Sequence, residues 1–442
     1  MALQRRRTRL SLAEYGGWRD VSAELVEQCG MSREGAMRLL AVSAGRVRNL
    51  LRATDSAPLQ AEGLRVRARD FAGLLSLSPH VELEVAPKFL GGETLASSWR
   101  EDFLFISALA KHGHLLPGHP IGAKRQAYVD IPFLLGKALG DEYWKNSRRP
   151  LKSYRHATTF DFEIQGELDD EALALPSSEG WAQTVTDYGR GNEFNATIQL
   201  AMRQLVPRIR NENTVARLRV AAQQLGEQSK ATGRRRALPP RHRRWTPAYN
   251  LASDILTGEG SAFEAEGAYH LPGYLVSTWQ AWEVLIARSL KSALPDSIVR
   301  YQNGLQLGIR TSGEKNSKFK VWPDVMVEDL PARERPLVVD AKYKGRVEDG
   351  LTTMARSDVF ECLSFAEAAQ SPGVLVVYPH VPKEGEPPDL GKVRVFDQVD
   401  TGSKRVVGVE VDVRGIAGRG KFSVFSRSLA VRLSAIADEL HL

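Results

Sequence analysis

The sequence has little that would mark a secreted or membrane protein. Two cysteines in 442 residues, Cys29 and Cys362, lie too far apart to form a short-spaced metal pair, and so few thiols fit a reducing cytoplasm. No window approaches the roughly 18 uninterrupted apolar residues of a membrane helix. Arg5, Arg6, Arg7 and Arg9 open the chain, but no apolar stretch follows them as it would in a secretory signal. There is no G-x-S-x-G elbow, no internal repeat and no long low-complexity tract. Nucleotide-binding and zinc signals are thin. Gly415-Ile-Ala-Gly-Arg-Gly420-Lys421-Phe422 misses the phosphate-loop pattern at Phe422, where a hydroxyl should hold Mg²⁺. The stretch Phe422-Ser-Val-Phe also reads as a strand where that pattern needs a helix. His112, His114 and His119 have no cysteine near them and sit in Gly/Pro-rich sequence that reads as a loop.

What is present is an ordinary globular composition, 43% hydrophobic and 26% charged, which excludes a disordered or fibrous chain. The length predicts two or three domains. The net charge of +7 is unevenly placed. Between Arg203 and Arg244 stand twelve Lys/Arg against Glu212 and Glu227, a local +10 that leaves the rest of the chain at −3. A second run, Tyr143 to Arg155, holds five cations, no acid and interleaved aromatics. Cations neutralise phosphates and aromatics stack on bases, so both runs are candidate polyanion contacts. The candidates are Lys145, Arg148, Arg149, Lys152, Arg155, Arg234, Arg235, Arg236, Arg241, Arg243 and Arg244. The plainer account of such runs is a solvated helix face and a basic loop.

The pattern predicts an α+β multidomain chain. Residues 1–125 form a strand-rich N-terminal domain: Leu64–Ala68 and Val81–Val85 alternate as half-buried strands do, and a helix spans Arg33–Leu51. Residues 126–258 read as a mainly helical basic region, with helices at Asn192–Val206 and Thr214–Gln228 and an exposed loop over Gly233–Arg244. Residues 259–442 read as an α/β domain with a mixed sheet. Its helices are expected at Val276–Leu294, Asp358–Ala369 and Ser428–Leu440. Its strands are expected near Leu305–Arg310, Phe319–Val327, Leu337–Tyr343, Val374–Tyr378, Lys392–Phe396 and Arg405–Val413.

Trp322-Pro323-Asp324 and, sixteen positions after the aspartate, Asp340-Ala341-Lys342 carry the chemistry. Strand alternation puts Asp340 and Lys342 on one face, with Val339, Ala341 and Tyr343 on the other. A hairpin would bring the Asp324 carboxylate beside Asp340. Two hard oxygen donors with open positions suit Mg²⁺, and a lysine two residues on would hold water and offset phosphorane charge. A D-x-K triplet also arises by chance, and charged residues commonly guard strand edges.

Pro323-Asp324 with Val339-Asp340-Ala341-Lys342-Tyr343-Lys344 resembles the motif of PD-(D/E)xK nucleases, and in particular the McrC family, the nuclease subunit of modified-cytosine-dependent restriction systems. Leu83-Glu84-Val85-Ala86-Pro87-Lys88 is similar to the family's N-terminal strand, Trp282–Ala287 to its helix before the motif, and Asp358–Glu361 to its helix after it. The resemblance implies a restriction-endonuclease-like C-terminal domain. It also implies Asp324, Asp340 and the Ala341 backbone carbonyl as metal ligands, Lys342 as catalytic lysine, and Glu283 as an added acidic ligand or water-holder. It implies Mg²⁺, with Mn²⁺ as the alternative, DNA as substrate, and assembly with an McrB-like AAA+ GTPase or ATPase that engages the N-terminal domain. Two departures stand out: Glu361 where the family often has glutamine, and Gln165-Gly166-Glu167 where it tends to show Arg-Gly-Arg. The expected function is a cytoplasmic Mg²⁺-dependent DNA endonuclease subunit for antiviral restriction. The competing readings are a non-cutting DNA-binding adaptor that regulates an AAA+ motor, and an RNA-directed nuclease.

Overall fold

The computed structural model describes residues 8–439 apart from 52, 54–56, 79, 92–97, 113–130, 169–177, 227–235, 258–272, 313–314, 331–333, 345, 349–350 and 384. Expectations on Arg5, Arg6, Arg7, His114, His119, Arg234 and Arg235 lie outside the described residues. The chain divides into two compact units, residues 1–126 together with 275–442, and residues 127–274. The N-terminal and C-terminal segments therefore share one unit. Among the described residues, no helix is long and apolar enough to cross a membrane.

The first unit is built on a six-stranded mixed sheet in the order Ile298–Tyr301, Val325–Glu328, Leu337–Ala341, Gly373–Pro379, Arg405–Val411, Val393–Asp400. The first two pairings are antiparallel, the next two are parallel, and the last strand returns antiparallel. Leu337–Ala341 and Gly373–Pro379 are buried along their whole length, as continuous apolar strands covered on both faces must be. On one face the helix Arg356–Ala368 places Val359, Cys362, Phe365 and Ala366 against Val338, Val374, Val376 and Val406. The helix Thr278–Ala293 packs against Ser98–His112 and Lys421–Glu439. Its fully buried Trp282 donates an indole N–H to the Val377 carbonyl at 2.9 Å.

The N-terminal part of this unit holds the helix Arg33–Leu50, begun by Ser32, whose hydroxyl accepts the Gly35 N–H at 3.0 Å. A four-stranded sheet joins Thr8–Ala13, Val81–Ala86, Phe71–Ser78 and Gly273–Ser277. Here the alternation rule misleads. Val81–Ala86 is buried on both faces, because Arg9 pairs with Glu82 at 3.2 Å and Arg100 with Glu84 at 2.6 Å. A buried carboxylate is tolerable only when it is paired in this way.

Three other local expectations change. The helix expected from Val276 starts at Thr278, and Gly273–Ser277, with Tyr274, Leu275 and Val276, is a strand. The strand expected over Phe319–Val327 is cut at Trp322-Pro323-Asp324, since proline cannot donate to a ladder. Lys315–Val321 pairs with Leu305–Ser312 in a separate hairpin, while Val325–Glu328 enters the large sheet. Phe422 and its neighbours lie in the helix Lys421–Glu439, not in a strand. The preceding glycine-rich turn spends its amides internally: Gly415 and Ala417 donate to the Asp102 carboxylate at 2.7 and 2.9 Å.

The second unit contains the helices Ile131–Asn146, Glu193–Leu205, Glu212–Gln224 and Thr246–Thr257. Asn192 and Asn211 cap the middle two, accepting the Asn195 and Thr214 N–H groups at 2.9 and 3.0 Å. The region expected to be mainly helical also holds a three-stranded sheet of Ser153–Asp161, Trp181–Gly189 and Glu167–Leu168. Its first strand includes Tyr154, Thr158, Thr159 and Phe160, residues that favour extended backbone.

Candidate active site

The break at Pro323 sets Asp324 at the entry to Val325–Glu328, and the following antiparallel register fixes what it faces. Val325 pairs with Val339 and Val327 with Leu337. One step back along that register, Asp324 stands across from Asp340. The Asp324 carboxylate accepts the Ala341 N–H at 2.8 Å. Both aspartates are buried, at 9% and 1% exposure. Alternation then sends Val338, Asp340 and Lys342 toward the helix Arg356–Ala368. There the Lys342 ammonium lies 3.1 Å from Asp340 and 2.7 Å from Glu361, and the Cys362 thiol lies 3.8 Å from Asp340. Glu283 approaches from Thr278–Ala293 and is bonded by the Gln302 side-chain amide at 3.4 Å.

These charges strain one another. Burial, then Asp340 and Glu283, push the Asp324 carboxyl up to about 8. Burial also raises Asp340, against the pull of Lys342. Glu283 is pushed up to about 7 by burial and by Asp340. Burial alone would disfavour the Lys342 ammonium, but Asp340 and Glu361 hold its pKa well above the ordinary lysine value. Among the described residues, no three His, Cys, Asp or Glu side chains converge as a metal-binding group. The site instead offers a carboxylate pair, one lysine and an acid beside them.

Two neighbours had no sequence signal. Tyr301 hydrogen-bonds Glu283, and its hydroxyl is pushed up to about 12 by burial and by Glu283 and Asp324. Gln302, at positive φ, donates its backbone N–H to the Asp324 carbonyl at 2.9 Å. Both belong to a short edge strand and the turn after it, where sequence spacing gives no hint of the site.

The other face of the same strand is anchored by the N-terminal segment. Lys88 donates from Nζ to the Tyr343 carbonyl at 2.6 Å, and the Tyr343 hydroxyl bonds to buried Glu14, which also accepts from Thr278. Lys344 pairs with Asp70 at 2.9 Å. The similarity noted at Pro87-Lys88 did not reveal this contact, because 255 residues separate Lys88 from Tyr343.

In the second unit the two basic runs meet. Trp245 donates to the Arg149 carbonyl at 2.9 Å, and a His242 ring nitrogen lies 2.7 Å from the Lys152 carbonyl. Arg241 sits 5.6 Å from the ring centres of both Tyr154 and Tyr188, which lie 4.8 Å from each other. Lys152 sits over Tyr188 at 5.5 Å. Arg148, Arg149, Arg243 and Arg244 are exposed, as is Lys145, which pairs with Glu142 at 3.6 Å. Arg236 is held by Glu193 at 3.1 Å and shares with Arg243 a recess of about 390 Å³. Arg155 lies in the strand Ser153–Asp161, and its side chain is outside the described residues.

The fold is shared with a chain of the assembly described as the refined half-complex from a tetradecameric assembly of Thermococcus gammatolerans McrB AAA+ hexamers with bound McrC. The match has a TM-score of 0.67 at 13% identity and covers 96% of this chain and 100% of that one. A second match is the cryo-EM structure of the Thermococcus gammatolerans McrBC complex, with a TM-score of 0.48 at 12% identity, covering 65% and 88%. A comparison with curated proteins gives no match. Residues 146–379, more than half of the sequence, match the family described as McrBC 5-methylcytosine restriction system component. The chain belongs to that family.

Proposed function

We propose that this chain is the DNA-cutting subunit of an McrBC-like restriction system, a metal-dependent endonuclease controlled by an McrB-like AAA+ NTPase. One observation carries this reading: the Asp324 carboxylate, 2.8 Å from the Ala341 amide, stands across from Asp340, with the Lys342 ammonium 3.1 Å away. The donor set fits a hard cation. Burial raises both carboxyls, Asp340 and Glu283 raise Asp324 further, and a divalent ion would relieve that cost. Asp324, Asp340 and the Ala341 carbonyl would hold Mg²⁺ or Mn²⁺, completed by water and phosphate oxygens. When bound, the metal supplies a Lewis acid for phosphodiester hydrolysis. The protein's own groups divide the remaining work. Lys342 offsets negative charge at the phosphorus, and Glu283, at about 7, is poised to hold or take a proton from water.

The basic segment 203–244 and the run 143–155 supply contacts for the DNA backbone, and the assembly of McrB hexamers with bound McrC supports the partner class. The test combines the purified full chain, an AAA+ partner, NTP, Mg²⁺ and DNA with or without 5-methylcytosine. Wild type cuts, whereas Asp324→Ala, Asp340→Ala and Lys342→Ala bind the partner and do not cut. Cutting by all three variants at the wild-type rate overturns the assignment. Partner NTPase stimulation without any cutting by wild type favours the adaptor, and faster cutting of matching RNA favours the RNA nuclease.

A further inference from the structure

The hairpin Leu305–Ser312/Lys315–Val321 is not part of the six-stranded sheet whose strand begins just after it. Its lower half is anchored: Val321 and the half-buried Leu305, Leu307 and Gly308 belong to strands that pack against the helix Arg356–Ala368. From Ile309 to Ser312 and from Lys315 to Lys320, the strands are exposed on both faces. An isolated two-stranded ribbon is marginal in water, and this one displays Ile309 at 68% and Phe319 at 38% exposure. It also carries Arg310, Lys315, Lys318 and Lys320 against Glu314. The three lysines form no ion pair with a described residue, and Arg310 lies 4.6 Å from the Phe319 ring centre. Trp322, 56% exposed, follows directly and lies over Gly304, where an added Cβ would meet the indole nitrogen at 2.6 Å.

The placement of these cations relates to the site. Lys320 is four residues before Asp324, so at most about 14 Å of chain separates them. Lys318 and Lys320 point to one face, about 6.6 Å apart along the strand, close to the rise of two nucleotides in one DNA strand. From Lys315 to Val321 the ribbon extends roughly 20 Å, more than half a turn of duplex.

We propose that this hairpin is an arm of the cutting site that grips the phosphate backbone of duplex DNA and holds it beside Asp324 and Asp340. The arm rests on the nuclease reading and sharpens it: the substrate is gripped by its backbone, close to the scissile bond, and not only by the basic segments of the other unit. Lys318 and Lys320 contact phosphates on one side of the ribbon, and Arg310, oriented by Phe319, reaches from the other. Because none of these groups reads a base edge, the grip is independent of sequence.

The test measures binding of labelled duplex DNA to the full chain across a range of salt, without divalent ions. Arg310→Ala/Lys318→Ala/Lys320→Ala should lower the slope of log K against log salt by about 2.7, which is about 0.9 for each phosphate no longer neutralised. Lys318→Arg/Lys320→Arg should keep the wild-type slope. A triple variant that melts like wild type and binds with the wild-type slope overturns the arm, whether or not the chain cuts. Loss of partner binding by that variant at an unchanged slope would mean the arm faces protein, and also overturns it. An arm-dependent slope with no cutting by wild type leaves the arm standing and refutes the nuclease reading alone.

Discussion

Taking one negative charge out of the carboxylate pair should make the protein more stable and inactive at once. Asp324→Asn keeps an oxygen to accept the Ala341 amide and removes a charge that burial, Asp340 and Glu283 all oppose. The Asp324 carboxyl stands at about 8 against an ordinary 3.8. Its ionisation in the unfolded chain at neutral pH is therefore opposed in the fold over about three pH units, at about 1.4 kcal/mol each, or about 4 kcal/mol in all. Asp340 carries part of the same repulsion, so about 2 kcal/mol is the expected gain for the single substitution. For a unit of this size that corresponds to roughly 3–5 °C in melting temperature.

The sign follows from linkage. A raised carboxyl gives stability that is fully present below its unfolded value near 3.8 and is lost as pH rises through about 8. In chelator, the wild-type melting temperature should fall relative to Asp324→Asn across that window, with little gap near pH 4. Mg²⁺ should then close the gap from the wild-type side, by about 2.7 kcal/mol at a hundredfold excess over its Kd. Scanning calorimetry in chelator and in Mg²⁺, at several pH values, reads both effects. A variant that melts no higher than wild type at neutral pH, or that gains as much from Mg²⁺, refutes the reasoning.

Four further outcomes follow. Lys342→Ala should lose cutting and about 3 kcal/mol of stability by chemical denaturation, since buried Asp340 loses its ammonium, whereas Glu361→Ala at the half-exposed end should cost under about 1 kcal/mol. Glu14→Ala should cost about 3 kcal/mol by chemical denaturation, since the buried Thr278 and Tyr343 hydroxyls both lose their acceptor. Asp102→Ala should cost about 2 kcal/mol and speed hydrogen exchange at Gly415 and Ala417, whose amides lose their acceptor. Tyr188→Ala or Arg241→Ala should weaken DNA binding about tenfold, about 1.4 kcal/mol, in the same salt-dependent DNA-binding assay.

The sequence was most readable where one periodicity served one environment. Asp340 and Lys342 share a face because Leu337–Ala341 is a regular buried strand, and Pro323 marked the entry to its partner. Reading failed where tertiary pairing overrode local pattern. Val81–Ala86 alternates apolar and acidic residues, yet distant Arg9 and Arg100 allow both faces to be buried. Phe422–Phe425 has strand-like composition, but it opens a helix whose Phe422, Phe425 and Leu429 recur at helical spacing on the buried side. The union of residues 1–126 with 275–442 was invisible for a related reason: contacts such as Glu14 with Tyr343 join residues 329 positions apart, and no local window holds them.

That union bears on how the N-terminal segment should be understood. An N-terminal domain that only received a partner could be removed without touching the carboxylate pair. Here the strand that carries Asp340 and Lys342 on one face turns Ala341 and Tyr343 the other way, and Tyr343 is held from behind by Glu14 and Lys88. The Ala341 amide on that strand is in turn the donor that fixes the Asp324 carboxylate. Position along a buried strand is transmitted stiffly, because close-packed interiors leave few voids to absorb a shift. A displacement of Tyr343 is therefore carried along the chain to Ala341, whose amide holds the Asp324 carboxylate on the neighbouring strand. The N-terminal segment thus braces the strand of the carboxylate pair from behind, through Tyr343 and through Lys344, which pairs with Asp70.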